Sequence, residues 1–431
     1  MDRRSFLGAI GAAGLTTASA PLRRSFAATA AGPSGPVNRV AVIGAGIVGA
    51  SIAYNLSKRG CEVLLIDKRG PAAQASGNSF AWINATYFDM PPSYYWLRVY
   101  SQNEYHRLSR EVDFPLHWGG SLEWYHSADR EKEVADGVRR IQQLGDPTWM
   151  VDASRVAGIE PNLNLNGDWQ VAYCSSDGAV DPGATTRALV EKVTAHGGET
   201  IFPARVTGIG QHSGKMRIET DITPFEVDLA VVAAGASANE IASMIDLGTD
   251  LVKPATPGII VTTRPMERIL NAISYTTDTH FHQLPDGRVI LGEKAGPPGT
   301  EQHLAYLADR PNAYPSADLA AQHATRVIGT ASRYVPQILD AEVEKVGVGW
   351  RPLPLDGLPV VGHVPDMPGI YLASMHSGVT LAPIIGHLAA MEILDGARVD
   401  LLSDFRVERF LKIRKTGAQG PGLHLRRLRV A

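Results

Sequence analysis

Only two of the 431 residues are cysteine, Cys61 and Cys174, far apart and without a CxxC spacing. No structural zinc or iron–sulfur site can be built from them, no metal site is expected, and both thiols read as core residues. There is no excess of either charge: 41 Lys and Arg face 44 Asp and Glu, a net charge of -3, which argues against nucleic acid as a general partner. No apolar run reaches the length of a membrane-spanning helix. GxSxG, HExxH and GxxxxGK are all missing, which removes the common hydrolase and phosphate-loop readings. No internal repeat is visible. The length allows two or three domains with sizeable cores.

The N-terminus reads as an address rather than as part of the fold. Asp2-Arg3-Arg4-Ser5-Phe6-Leu7 resembles a twin-arginine export motif, followed by a modest apolar stretch and two small-residue cleavage patterns, Ala18-Ser19-Ala20 and Ala28-Thr29-Ala30. The expectation is a bacterial, periplasmic protein exported already folded, with residues 1–36 as signal and linker.

The stretch from Val40 to Gly70 carries the first chemistry. Val40-Ala41-Val42-Ile43 reads as a buried strand, Gly44-Ala45-Gly46-Ile47-Val48-Gly49 as a tight turn opening a helix, and Val63-Leu64-Leu65-Ile66 as a second strand closed by Asp67. Gly44 permits the turn, Gly46 lets a pyrophosphate approach the backbone, and Gly49 lets helix and strand pack closely. The helix N-terminus offers free N–H groups and a positive dipole end. Asp67 can accept hydrogen bonds from ribose hydroxyls, which favours FAD or NAD over NADP, although Lys68 and Arg69 stand beside it. Strand, turn, helix, strand and acid in this order indicate a dinucleotide site.

Further along, Ser76, Gly77 and Asn78 lie in a loop of small residues suited to wrapping a pyrophosphate. Asp181 reads as a helix N-cap with Pro182 at the first helical position. Val206 sits at the heart of a strand, and the buried strand Val227 to Val232 ends in Ala233-Ala234-Gly235-Ala236, where a cofactor can come close. From about Lys253 the texture changes to alternating strands, with a β-hairpin joining Thr279–Leu284 to Val289–Leu291 through Pro285-Asp286-Gly287-Arg288. His280 and His282, two apart on that strand, share one face. The face either lines a pocket or is hairpin surface, and as a metal pair it lacks a third ligand. Trp82, Tyr94, Tyr95 and Trp350 are candidate pocket walls. The basic end, Arg406 to Arg429, reads as a solvated helix end and tail, with peripheral contact to acidic lipid as the alternative.

Taken together, GxGxxG, DGAVDP at 177–182, the AAGA strand end, RPLPLDGLPVVG at 351–362 and the late loop Met375-His376-Ser377-Gly378 resemble the D-amino-acid oxidase superfamily of FAD enzymes, which includes glycine oxidase, sarcosine oxidase and the D-amino-acid dehydrogenases. The resemblance implies an α/β, Rossmann-like FAD domain (37–93, 152–254 and 345–413), a substrate domain with an antiparallel sheet (94–151 and 255–344), and a basic tail at 414–431. Arg351 stands where the family grips the substrate carboxylate. Gly378, Val379 and Thr380 begin a helix whose N-terminus faces the flavin, and His376 either adds a hydrogen bond there or caps the helix. His376 and His282 join Arg351 as candidate catalytic residues. The implied reaction is hydride transfer from the α-carbon of a small amine or amino acid to flavin N5, leaving an imine that water hydrolyses, with oxygen or a membrane quinone as electron acceptor. A flavin enzyme of 2-hydroxy acids and a flavin-binding subunit without turnover are the alternatives. Asp67 replaces the usual Glu, and the late loop is shorter than the family's. No cysteine precedes Arg351 closely, so non-covalent FAD is implied, with a histidyl link as the alternative.

Overall fold

The computed structural model describes residues 32–411, apart from 34, 87–89, 166, 168, 295–300, 302–304, 306–310, 312 and 315. The expected export signal and the basic tail therefore lie outside the described residues.

The first layer of the fold follows from the Val40–Gly70 pattern. Strand β1 (Arg39–Ile43), helix α1 (Ile47–Lys58) and strand β2 (Glu62–Ile66) form a parallel unit, with Val40 opposite Val63 and Ile43 opposite Ile66. The sheet has six strands in the order Val360–Val364, Met367–Ser374, Leu229–Val232, β1, β2, Glu199–Ile201; only the Val360–Val364 edge runs antiparallel. Its inner strands are largely buried on both faces, as parallel sheets require, while the Glu199–Ile201 edge is exposed. Val40, Val42, Val63 and Leu65 face a core shared with α1 and the helices Pro92–Leu108, Pro182–Ala195 and Gly378–Asp395. Ala41, Ile43, Leu64 and Ile66 face the other way, toward the antiparallel hairpin of Val206–His212 and Lys215–Thr220. Sequence neighbours on β1 lead away to either side, so the carboxyl end of β1 is a topological switch point, where α/β sheets bind ligands.

Helix Gly378–Asp395 corrects one expectation. It spans 18 residues with a mean hydropathy of 1.3, long and apolar enough to cross a membrane. Two thirds of it is buried inside the protein. Gly386 explains how: a Cβ there would stand 2.2 Å from Ser51 Oγ of α1, so the two helices cross at close range. It is a core helix.

The second layer is a mixed, mainly antiparallel sheet of eight strands: Val343–Arg351, Thr256–Thr263, Val289–Glu293, Thr279–Gln283, Ile273–Tyr275, Ser121–Glu123, Val171–Cys174 and Thr148–Val151. The anticipated hairpin is present, pairing Thr279 with Glu293 and Gln283 with Val289. One face is apolar, through Val261, Phe281, Leu291 and Leu122, and packs on helix Ala317–Ala331. Two strands lie apart from the boundaries read in the sequence. Val171–Cys174 and Val343–Arg351, assigned wholly or mostly to the cofactor unit, pair within this sheet. Helix Pro92–Leu108, assigned to the substrate unit, packs through Tyr94, Leu97 and Tyr105 in the core of the six-stranded sheet. Periodicity identifies a strand but not its partner, which is why these boundaries moved.

Candidate active site

The glycine turn is held by close backbone contacts. Gly44 has φ +111°, and a Cβ there would stand 2.3 Å from the Ala233 carbonyl oxygen; one at Gly49 would stand 1.9 Å from the Gly44 carbonyl oxygen. The turn thus closes directly on the AAGA strand end, where Ala234 leads into a short 3-10 turn, Gly235–Ser237, with Gly235 at φ +55°. Asp67 lies beneath. Its Oδ2 accepts from the Ala45 N–H (2.9 Å), and its Oδ1 from the N–H groups of Arg69 (2.7 Å) and Gly70 (2.9 Å). A carboxylate oxygen accepts two bonds comfortably, so Oδ2 keeps capacity for a ribose hydroxyl. Lys68 turns aside, its Nζ donating to Ser237 Oγ (3.0 Å). Val206 is buried in the second core beside the turn from β2, where the Ala204 N–H donates to the Asp67 carbonyl (2.8 Å).

The Ser76 loop does wrap this turn. Ser76 Oγ accepts from the Ile47 N–H (3.0 Å), one of the helix-terminal donors expected to be free. Gly77 packs tightly on Ala72, where a Cβ would stand 2.3 Å from the carbonyl oxygen. Asn78 points the other way: its Nδ2 donates to the Gln74 and Val348 carbonyls (3.1 Å each), fastening the loop to strand Val343–Arg351. Gly347 and Gly349 make that approach feasible, since a Cβ at Gly347 would stand 2.2 Å from Asn78 Oδ1.

Two helix N-termini meet beside the turn. A Cβ at Gly378 would lie 3.2 Å from Val48 Cγ2, so helix Gly378–Asp395 begins against the first turn of α1. Neither helix is capped by its own N-cap residue or has an acid in its first turn, and Ser76 takes one N–H of α1. Their positive ends remain available for phosphate and for a negatively charged ring. This donor set, with the Gly44–Ala233 contact and Asp67, fits FAD. The cap position is Ser377 and makes no side-chain bond, so His376 does not cap. Tyr105 Oη donates to the Val379 carbonyl (2.6 Å), and Thr380 Oγ1 donates to the Trp82 carbonyl (2.9 Å), fixing that helix start from both sides.

The chemistry end is built by strand register. Pairing sets Arg351 opposite Thr256, Gly349 opposite Gly258, Thr262 opposite Ile290, Gly292 opposite His280, and His280 opposite Tyr275. Directly paired residues share a face. Arg351, His280, His282 and Tyr275 therefore project together from the side of the sheet opposite its apolar core. Loop residues close over them: the Phe80 ring meets His280 at 4.4 Å and His282 at 5.0 Å, and Trp82 meets Tyr275 at 5.4 Å. Arg351 donates to the Pro257 carbonyl (2.8 Å), with its guanidinium beside Gly258.

The imidazoles here are neutral. Burial, then the charges of Lys294 and Arg351, pull His280 down to about 3. Burial, then the charges of Arg351 and Arg98, pull His376 down to about 4. His282 is 1% exposed, and burial pulls it down to about 4. Its Nε2 lies 2.8 Å from the Phe80 carbonyl oxygen, which can only accept, so Nε2 carries the proton. His282 thus ties the Phe80 loop to the hairpin, while Arg351 and His376 lie within electrostatic reach of each other.

Sequence reading missed Arg98, Lys294 and Tyr275, and took Asp177 only as the start of the DGAVDP motif. Arg98 is buried on helix Pro92–Leu108 and donates to the Asn84 carbonyl (2.7 Å) and the Tyr94 hydroxyl (3.1 Å). Asp177, fully buried, accepts from Trp82 Nε1 (2.9 Å), Ser121 Oγ (2.7 Å) and Gln102 Nε2 (3.1 Å). The period-2 pattern does signal Lys294, two residues beyond Gly292 on the His280 face.

A family model described as FAD dependent oxidoreductase (DAO) matches residues 39–391. Hydrogen cyanide synthase subunit HcnC of Pseudomonas protegens is 25% identical over 418 residues, covering 86% of this chain and 96% of that protein. An opine oxidase component from Agrobacterium tumefaciens is 25% identical over 387 residues, covering 86% and 96%. The crystal structure of glycine oxidase from Geobacillus kaustophilus is similar in fold, with a TM-score of 0.75 at 22% identity, covering 86% of this chain and 98% of that one.

Proposed function

The chain belongs to the DAO family of FAD-dependent oxidoreductases, and from that premise we propose that it oxidises a small carboxylate-bearing amine or amino acid at the carbon between the two groups. The observation that carries this reading is the convergence of Arg351 with the uncharged imidazoles of His280 and His282 on one sheet face, within electrostatic reach of His376 just before the helix that starts at Gly378. Glycine oxidase and opine oxidase, which the chain resembles, are named for amino-acid-type substrates, which supports the same class.

Bound FAD supplies a hydride acceptor at N5. The chain's own residues do the rest by position. Arg351, always charged, can clamp a carboxylate through two parallel N–H bonds, which fixes the adjacent carbon. His376 and His280 stay neutral across the physiological range, so they add hydrogen-bonding capacity without repelling an amine. Gly378 to Thr380 present N–H groups and a positive helix end where negative charge develops. The substrate loses a hydride from carbon and leaves as an imine. Water then gives a carbonyl compound and an amine or ammonia. We place this chemistry in a bacterial periplasm, with oxygen or a membrane quinone as acceptor, a reading supported by the twin-arginine pattern at Arg3-Arg4.

An anaerobic flavin-bleaching screen over glycine, N-methylglycines, D-amino acids, proline analogues and 2-hydroxy acids tests the class. Bleaching by amines, with a reductive rate that rises with pH until the bound amine is neutral, is the expected result. Bleaching by 2-hydroxy acids alone, or a flat pH profile, would overturn it.

A further inference from the structure

Arg351 is not the only cation on the His280 face. Lys294 follows Gly292 by two residues, and extending the Thr262–Ile290 register sets it level with Gly258. It stands two strands from Arg351, about 10 Å across the sheet at a normal strand spacing. Two glycines lie on the floor between them, with Ile260, opposite Gly292, at its border. Gly258 lies under the Arg351 guanidinium, with Nε 3.6 Å from where its Cβ would be. Gly292 lies under the His280 ring, where a Cβ would stand 2.2 Å from Nε2. Tyr275 stacks on His280 at 5.6 Å and 21°. Lys294 Nζ then sits 3.9 Å from the centre of the Tyr275 ring and 4.3 Å from that of Tyr125. Both cations act electrostatically on His280.

Among the described residues Lys294 Nζ makes one hydrogen bond, 3.3 Å to Tyr125 Oη, which engages one of its three donors. Its counter-charges are at longer range. Glu123, buried on the strand beside Tyr275, accepts from the Tyr125 hydroxyl (2.6 Å), and Asp278 is engaged by Tyr334 (2.9 Å) and Arg333. Burial lowers Lys294 to about 8, so it is cationic at neutral pH. A half-buried ammonium held by rings, with donors to spare and a glycine-floored path to an arginine, has the makings of an anion subsite.

We propose that Lys294 grips a second acid group of the substrate, so that the preferred substrates are amines carrying two carboxylates: one held by Arg351 beside the reacting carbon, the other by Lys294. The inference rests on the carboxylate–amine reading above and narrows it.

The test compares a matched pair, N-(carboxymethyl)glycine and N-methylglycine, by anaerobic flavin reduction in the holoenzyme, with Lys294→Met and Lys294→Arg variants. Binding of the unreactive diacid thiodiacetate and the monoacid (methylthio)acetate is followed in parallel by perturbation of the flavin spectrum. Wild type should favour the diacid in kcat/KM and in affinity. Lys294→Met should cut that preference about 30-fold, and Lys294→Arg should restore much of it. Equal losses for both acids in Lys294→Met would make Lys294 a structural residue and overturn the proposal, as would a wild type indifferent to the second carboxylate. If no amine bleaches the flavin yet thiodiacetate binding depends on Lys294, the subsite stands and the amine reading fails.

Discussion

The two ends of the site are made of different material. The nucleotide end is backbone: the Gly44 turn against Ala233, two uncapped helix starts, and one carboxylate, most of it within the contiguous stretch 40–70. The chemistry end is side chain. Arg351, His280, Tyr275 and Lys294 sit on four strands brought together by register, and His376 arrives from the six-stranded sheet. A site made of backbone can be damaged only where an added atom cannot fit. A site made of side chains can be retuned one residue at a time while the cofactor stays in place.

The contrast is open to direct attack. Gly44→Val puts a branched side chain at φ +111° against a carbonyl that cannot withdraw, and should weaken flavin retention by at least about 100-fold. Purification should yield nearly colourless protein, and a yellow Gly44→Val enzyme would refute a backbone-built cradle. Arg351→Met should remain yellow while kcat/KM falls roughly 100- to 1,000-fold, the usual loss when one member of a charge-assisted pair is removed. Loss of flavin in that variant would mean the two ends are not separable.

A third test concerns Asp177, which holds Trp82 beside Tyr275. Burial holds Asp177 up at about 7 against an ordinary 3.8, with the nearby Asp146 adding to the rise and the bonds from Ser121 and Trp82 opposing it. The folded state therefore retains a proton that the unfolded chain gives up. Stability contributed by Asp177 is greatest below about pH 4, falls as pH rises toward 7, and is level above. Asp177→Asn should erase that slope, so its Tm should gain on wild type between pH 4 and 7. Parallel Tm profiles would show that Asp177 is ionised throughout. The smallest effect belongs to Ser76→Ala, which leaves the Ile47 N–H without its partner and should cost about 1 kcal/mol in stability of the apoprotein, read by denaturant titration.

The same contrast explains what could be read without coordinates. Local pattern carried the whole first unit, the N-cap Asp181 with its bond to the Ala184 N–H (2.8 Å), and the hairpin at 279–293. Each depends on residues only a few positions apart. Arg351 and His376 were reached through family motifs. Lys294, Tyr275 and Arg98 were not, because their meaning comes from partners far away in sequence, and spacing along the chain does not encode which strands will pair. Asn78 shows the same limit in reverse. Its place in a small-residue loop suggested a cofactor contact, while its amide is used on Val348, 270 residues away.

That tie has a consequence for assembly. Ser76 holds the start of α1 and Asn78, two residues later, holds the strand that ends in Arg351. Cofactor loading and placement of the Arg351 strand are thereby joined through a single turn of chain. Amide hydrogens in 343–351 should exchange slowly in the flavin-loaded protein and faster once flavin is stripped, making this strand a built-in gauge of cofactor occupancy.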